Sequence, residues 1–296
     1  MKQFYFLSAL VFTTLMGSRA VAQDFSNKGK DFWVAYGYHE VMVDGNNTQE
    51  MVLYFATEAI TTVTVSIPGL GYSQTYSNIP ANTVFATPSA ALGGIPKSGA
   101  QDARLIAEST TPENKGIHIQ ADQPIVAYAH IYNSSVSGAT ILFPTSTLGK
   151  EYYSVNYKNV SNTPNANSWF YVVACDTGTT TVQITPSAAT INHPAGTPFT
   201  VTMTQGQVYN VMGQLINNTG PVYSGVDLTG STIQSISTGT NSCKRIAGFS
   251  GSGRIVISCD LNAPSSDNYM VQALPKSAWG KHFLKTPTAN CSAFGG

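Results

Sequence analysis

A ten-residue frame recurs along this chain and limits how it can fold more than any other feature. Residues 144–153 read Pro144-Thr145-Ser146-Thr147-Leu148-Gly149-Lys150-Glu151-Tyr152-Tyr153, and residues 275–284 read Pro275-Lys276-Ser277-Ala278-Trp279-Gly280-Lys281-His282-Phe283-Leu284. Both fit Pro-x-Ser-x-x-Gly-Lys-x-aromatic. A shorter form, Ser26-Asn27-Lys28-Gly29-Lys30-Asp31-Phe32, stands near the start. The glycines at 29, 149 and 280 mark units of 120 and 131 residues. Units of that length are too long for solenoid repeats or propeller blades and suit whole small domains. Proline cannot donate to a sheet ladder and glycine supplies an unusual backbone angle, so each frame is expected to end one strand and aim the next. On this reading Gly29, Gly149, Gly280, Pro144 and Pro275 are structural junction residues, and Lys150 and Lys281 bind no ligand.

Between the frames the chain reads as strands. In the first unit the runs Phe32–Tyr36, Met51–Ala56, Thr62–Ile67, Thr83–Thr87, Gly116–Gln120 and Ile125–Tyr132 are rich in Val, Ile, Thr, Tyr and Phe. Turn signals such as Pro68-Gly69 and Gly93-Gly94 separate them. Gln101–Glu108 fits a strand or turn better than a short helix. The second unit repeats the order. Trp169–Ala174 answers Met51–Ala56, and Thr181–Ile184 answers Thr64–Ile67. Gly206–Tyr209 answers Ala81–Phe85, Thr232–Gln234 answers His118–Gln120, and Arg245–Phe249 answers Pro124–Tyr128. The predicted fold is all-β, with two tandem related β-sandwich modules (jelly-roll or Ig-like) from an internal duplication, at 23–144 and 145–276. A single merged β-domain is the alternative. Residues 277–296 are either the start of a truncated third unit, which is the preferred reading, or a closing strand.

Residues 1–22 read as a signal peptide: Lys2, a mostly apolar run from Phe4 to Met16, and Ala20-Val21-Ala22 before Gln23. The run is short for a bilayer span and no second one follows, so no membrane insertion is expected after signal removal. Without Lys2 and Arg19, thirteen basic residues face fifteen acidic ones, which offers no electrostatic footprint for nucleic acid. Charged residues make up 10% of the chain, so the wet surface must be Ser, Thr, Asn, Gln and Gly.

Export makes disulfides plausible among Cys175, Cys243, Cys259 and Cys291. The segment between Cys243 and Cys259 reads as a hairpin, with strands Lys244–Phe249 and Arg254–Ser258 around Ser250-Gly251-Ser252-Gly253. Centring it on Gly251 places the two cysteines opposite each other, within disulfide reach. Cys175 and Cys291 are left to pair with each other or with something beyond the chain.

No catalytic constellation is legible. Phe249-Ser250-Gly251-Ser252-Gly253 only resembles a nucleophile elbow, and no helix pattern follows it. His39, His118, His130, His193 and His282 are scattered without metal spacing, and the acids form no recognisable pair. No phosphate loop or dinucleotide fingerprint occurs, so no cofactor is expected. Trp33, Tyr36, Tyr38, Trp169, Tyr171 and Trp279 are the prominent aromatics. Most fall in strand runs and are expected in the core; exposed ones would suit a sugar or protein partner.

Gly29-Lys30-Asp31-Phe32-Trp33-Val34-Ala35, Ile246-Ala247-Gly248-Phe249-Ser250-Gly251-Ser252-Gly253-Arg254 leading to Cys259, and Asp267-Asn268 followed by Gln272, Pro275 and Trp279-Gly280-Lys281 carry a resemblance. The chain resembles the N-terminal domain family of the IgGFc-binding protein, in the form found in secreted or surface proteins of bacteria. The resemblance implies a secreted or cell-surface, non-enzymatic binding or adhesion module for an extracellular protein or glycoprotein. Bacterial relatives often continue into a C-terminal surface-sorting region. No Fc-contact residue can be carried over, so the ligand-binding residues stay unassigned. Two other readings remain: a carbohydrate-active hydrolase or carbohydrate-binding module, and a structural spacer of a larger surface protein.

Overall fold

The structure is a computed structural model in which residues 26–43, 46–239, 242–256, 265–280 and 282 are described. The signal segment, Cys259, Lys281 and Cys291 fall outside the described residues, as does most of 277–296. Regular structure in the described residues is strand, joined by short 3-10 turns. No helix among them is long and apolar enough to cross a membrane.

The first seven strands are β1 (Lys28–Val34), β2 (Glu50–Thr57), β3 (Thr61–Ile67), β4 (Tyr72–Ile79), β5 (Thr83–Ala86), β6 (Ile117–Tyr132) and β7 (Ser137–Ile141). The two runs expected at 116–120 and 125–132 are one sixteen-residue strand, β6. Its first half pairs with β3 and most of β1, and its second half with β2, β7 and the first two residues of β1, Lys28 and Gly29. The change of partners falls at Asp122-Gln123-Pro124, which are exposed. Pro124 brings no ladder donor, and the Asp122 carboxylate accepts from Thr62 N at 2.8 Å, which ties down the end of β3. The sheet therefore has two halves, β4-β3-β6-β1 and β5-β2-β6-β7. Their apolar sides share one core, with Val65 and Ile119 from one half and Phe55 and Ala127 from the other. Val65, Ile119 and Phe55 each contribute about 1.5–3 kcal/mol by leaving water.

The remaining strands are β8 (Glu151–Tyr153), β9 (Val160–Ser161), β10 (Ser168–Ala174), β11 (Thr179–Thr185), β12 (Phe199–Thr204), β13 (Val208–Met212), β14 (Leu215–Asn217), β15 (Tyr223–Gly225), β16 (Thr232–Ile236), β17 (Ile246–Ile255) and β18 (Asp267–Gln272). They form the sheets β12-β11-β16-β8 and β13-β10-β17-β18, with β14-β15-β9 as a small third sheet. The pairing order of the first unit recurs, with β16 and β17 in the places of the two halves of β6. The register differs by one residue from the sequence match. Phe55 faces Phe85 and Ala127, and the β10 residue with the corresponding partners, Tyr209 and Gly248, is Val172 and not Val173. A one-residue slip turns every side chain to the other face.

That slip decides where the core runs. Every residue of β10 and β13 is buried. Phe170, Val172 and Ala174 point into a second core with Val182, Ile184 and Ile233. Trp169, Tyr171 and Val173 point the other way, into the first core. The boundary expected at residues 144 and 145 thus sorts the strands into sheets, but the first apolar core continues across it.

The expected hairpin around Gly251 is absent. Ile246–Ile255 is one ten-residue strand between β10 and β18. Its glycines serve close packing and not a turn: a Cβ on Gly251 would stand 2.4 Å from the Trp169 ring. The two ends of β17 lie roughly 30 Å apart, so the opposed register that favoured a Cys243–Cys259 disulfide is gone. Cys243 is a free thiol here, and Cys259 lies outside the described residues.

Candidate binding surfaces

The frames fold alike. Pro144 and Pro275 are buried and extended, each opening a 3-10 turn (Thr145–Thr147 and Lys276–Ala278). Each proline also covers the glycine of the preceding frame. A Cβ on Gly29 would stand 2.3 Å from Pro144 Cβ, and one on Gly149 would stand 2.4 Å from Pro275 Cβ. Neither glycine has a left-handed backbone. The unusual angle expected from sequence is therefore replaced by a different cause, the close approach of the next frame's proline. Lys150 is exposed, and its carbonyl accepts from Ser235 N at 2.8 Å.

A polar hollow of about 440 Å³ lies beside the first junction, lined by Asp31, Thr145, Cys175, Asp176, Gln205 and Arg245. Asp31 accepts from His118 Nε2 at 2.7 Å, and Arg245 clamps Asp176 at 2.6 Å while donating to Thr145 O at 3.0 Å. Burial works to raise both carboxyls, but hydrogen bonds from His118 and Thr145 hold Asp31 below its usual range, and those from Arg245 do the same for Asp176. Both are carboxylates at neutral pH and neither is poised to donate a proton. Burial pushes the Cys175 thiol well up, which opposes a thiolate nucleophile. No group of three or more potential metal ligands occurs among the described residues.

The histidines are held singly. His118 stacks on Trp33 at 4.0 Å and His193 on Phe199 at 3.6 Å. His39 is wholly buried, with Nδ1 accepting from Val41 N at 3.3 Å and Nε2 unpaired. Burial, aided by the Arg254 cation, depresses its pKa from 6.5 to about 4. Between those values the unfolded chain binds a proton that the folded chain refuses. Stability is therefore full above about pH 6.5 and falls as the pH drops toward 4. Urea titrations should show about 2 kcal/mol lost between pH 7 and pH 5 through this residue. His39→Gln should flatten that slope, and an unchanged slope in the variant would show the titrating group to be another.

Five of the six prominent aromatics, Trp33, Tyr36, Tyr38, Trp169 and Tyr171, are core residues. Trp279 is half exposed. The aromatic surface lies elsewhere, on the outer side of β5-β2-β6-β7. Tyr54 and Tyr128 face each other there, with Ala86 and Ile141 in the same cross-strand row. His130 stacks on Tyr132 at 4.6 Å and meets the Tyr54 hydroxyl at 3.3 Å. Burial lowers the His130 pKa, so its ring is neutral at pH 7. Val84, 67% exposed, continues the patch. From Val52 to Ala56, Val84 to Ala86 and Val126 to Tyr132 this side carries no acid, lysine or arginine. The outer side of β3 and β4 is different in kind, with Thr64 opposite Thr75 and Ser66 opposite Ser73. The signal was present in the sequence: in Ile125–Tyr132 both alternating sets are apolar or aromatic, the mark of a strand meant to be covered on both faces.

A second surface is an apolar cleft of about 430 Å³ at the last frame, lined by Tyr153, Val155, Leu274 and Trp279 among others. Tyr153 and Trp279 pack at 5.3 Å. Val155, Leu274 and Trp279 are each about half exposed, and apolar residues gathered this way mark an interaction surface more often than a solvated one.

The family model described as IgGFc binding protein matches residues 138–294, more than half of the chain, from within β7 through the whole second unit. No curated protein and no solved structure matches. The strand-rich second unit, its glycine-bearing β17 and the closing frame all fall in the matched stretch: the chain belongs to the IgGFc-binding protein family.

Proposed function

We infer that this chain is an exported, non-enzymatic binding or adhesion module that recognises an extracellular protein or glycoprotein. The observation that carries this reading is the family match over residues 138–294. The geometry supports it with a partly exposed aromatic sheet face at Tyr54, Tyr128 and Tyr132, chemistry that suits a protein surface or the apolar side of a sugar. A mere spacer has no need of such a face. A hydrolase needs a carboxyl able to protonate a leaving group, and the carboxylates of the polar hollow are otherwise engaged: Asp31 accepts from His118 and Thr145, and Asp176 is clamped by Arg245. The recurring strand order supports an origin by internal duplication.

The test is a binding panel for residues 23–296 against immobilised immunoglobulin Fc, mucin and glycans. Saturable binding to at least one protein or glycoprotein is expected, weakened roughly tenfold or more by Tyr128→Ala. Turnover of a glycan, or no binding across the panel, would overturn the reading.

A further inference from the structure

The contact between the two units has two sides, and a counterpart of each side is left open elsewhere on the molecule. One side belongs to the end of the first unit: Trp33, Ala35 and Leu148, exposed by 2%, 0% and 3%. The sheet β13-β10-β17-β18 covers them. Gly206 lies against the Trp33 ring, Tyr171 Oη bonds Ala35 N at 3.1 Å, and Leu148 shares its core with Val173 and Ala247. The frame aligns these residues with Tyr153, Val155 and Trp279 of the second unit. There Val155 and Trp279 are each 50% exposed and line the apolar cleft.

The other side of the contact is the covering sheet. Its centre is the cross-strand pair Tyr171 and Phe249, stacked at 4.7 Å. The cross-strand pair at the corresponding place in the first unit's sheet is Tyr54 and Tyr128, and that sheet face is the open aromatic patch. Among the described residues the chain therefore displays an uncovered cleft at one place and an uncovered covering-sheet at another. These are the two complementary halves of a contact it already makes internally.

We propose that a second copy of this chain occupies the cleft, seating the Tyr54–Tyr128 face of its first unit on Val155 and Trp279 of its neighbour. The proposal rests on reading that face as a protein-binding surface and names the protein. Such a contact joins two different patches, so it is heterologous and leaves a free cleft and a free face at the two ends, able to add further copies. Scarce charge favours it: the charged residues beside the face, Lys28 opposite Val126 and Glu50 opposite Tyr132, stand at its edges and are ion-paired within the chain, to Glu58 and Lys97, and the cleft lining has no acid, lysine or arginine.

Sedimentation velocity on residues 23–296, without added ligand, tests this. The wild-type mass should rise with concentration and pass beyond a dimer. Tyr128→Arg blocks the face and Trp279→Arg blocks the cleft. Both sites are exposed, so each variant should keep the wild-type melting temperature and sediment as a monomer. Mixed in equal amounts, the two variants should form a 1:1 dimer and nothing larger, because each supplies the half the other lacks. A wild-type chain that stays monomeric up to its solubility limit overturns the proposal, and so does a symmetric dimer that the mixture fails to restore. In either case Fc, mucin or glycan binding can still succeed on the panel. The failure of self-association is thus separable from failure of the binding-module reading.

Discussion

Trp169→Ala lowers the stability of the folded chain by roughly 3–5 kcal/mol. The residue belongs to β10 of the second unit, yet its indole lies in the core of the first. It abuts Gly37 and Gly251, where an added Cβ would stand 2.4 Å from the ring in each case. It donates Nε1 to Tyr38 O at 2.7 Å and stacks on Tyr171 at 5.6 Å. Truncation leaves a cavity between two sheets and removes the bond from the indole to the Tyr38 carbonyl, and both costs add. Because β10 and β13 are buried on both faces, the loss reaches both cores. Scanning calorimetry should show one transition, displaced as a whole to lower temperature. Two transitions, only one of them displaced, would mean that the units unfold separately and that the shared sheet does not couple them.

The same tryptophan shows what the sequence could and could not convey. Strand content, the positions of most strands and their recurring order follow from alternation and turn chemistry, because these are local. Trp169-Phe170-Tyr171-Val172-Val173 is apolar in both phases, so double burial was also legible. Which phase met which core was not. It depends on a one-residue register set by β13 and β17, strands distant in sequence, and the motif match erred by that one residue. Ser250-Gly251-Ser252-Gly253 misled for a related reason. Glycines at a turn and glycines beneath a large ring look the same in one dimension, and only the neighbouring sheet shows that the Trp169 ring needs the space. The aromatic patch was hidden by type: Tyr54 and Tyr128 sit in strands as ordinary as that of Tyr171, and only the presence or absence of a covering sheet separates them. The frame was the most legible feature as a pattern, though its cause was misread.

That cause is open to a decisive measurement. Gly149→Val lowers stability by roughly 3 kcal/mol, equivalent to roughly 6–12 °C in melting temperature for a chain of this size. Lys150→Ala changes stability by less than about 0.5 kcal/mol. Gly149 has no left-handed backbone to protect, so the penalty is steric: a Cβ would stand 2.4 Å from Pro275 Cβ and 3.3 Å from Ser277 Oγ. A steric penalty depends on the partner and a backbone-angle penalty does not. Pro275→Gly alone should cost stability by loosening the frame. In the double variant Gly149→Ala/Pro275→Gly, part of the Gly149→Ala loss should return, because the atom that was struck is gone. The coupling in this double-mutant cycle should reach roughly 1 kcal/mol or more. A cycle that closes without coupling would remove the proline from the explanation. Lys150→Ala completes the test from the other side. If it abolished binding on the Fc, mucin and glycan panel while the melting temperature held, the frame would be a ligand site and not a joint. With its side chain exposed and its carbonyl tied to β16 through Ser235 N, the expected result is unchanged stability and unchanged binding.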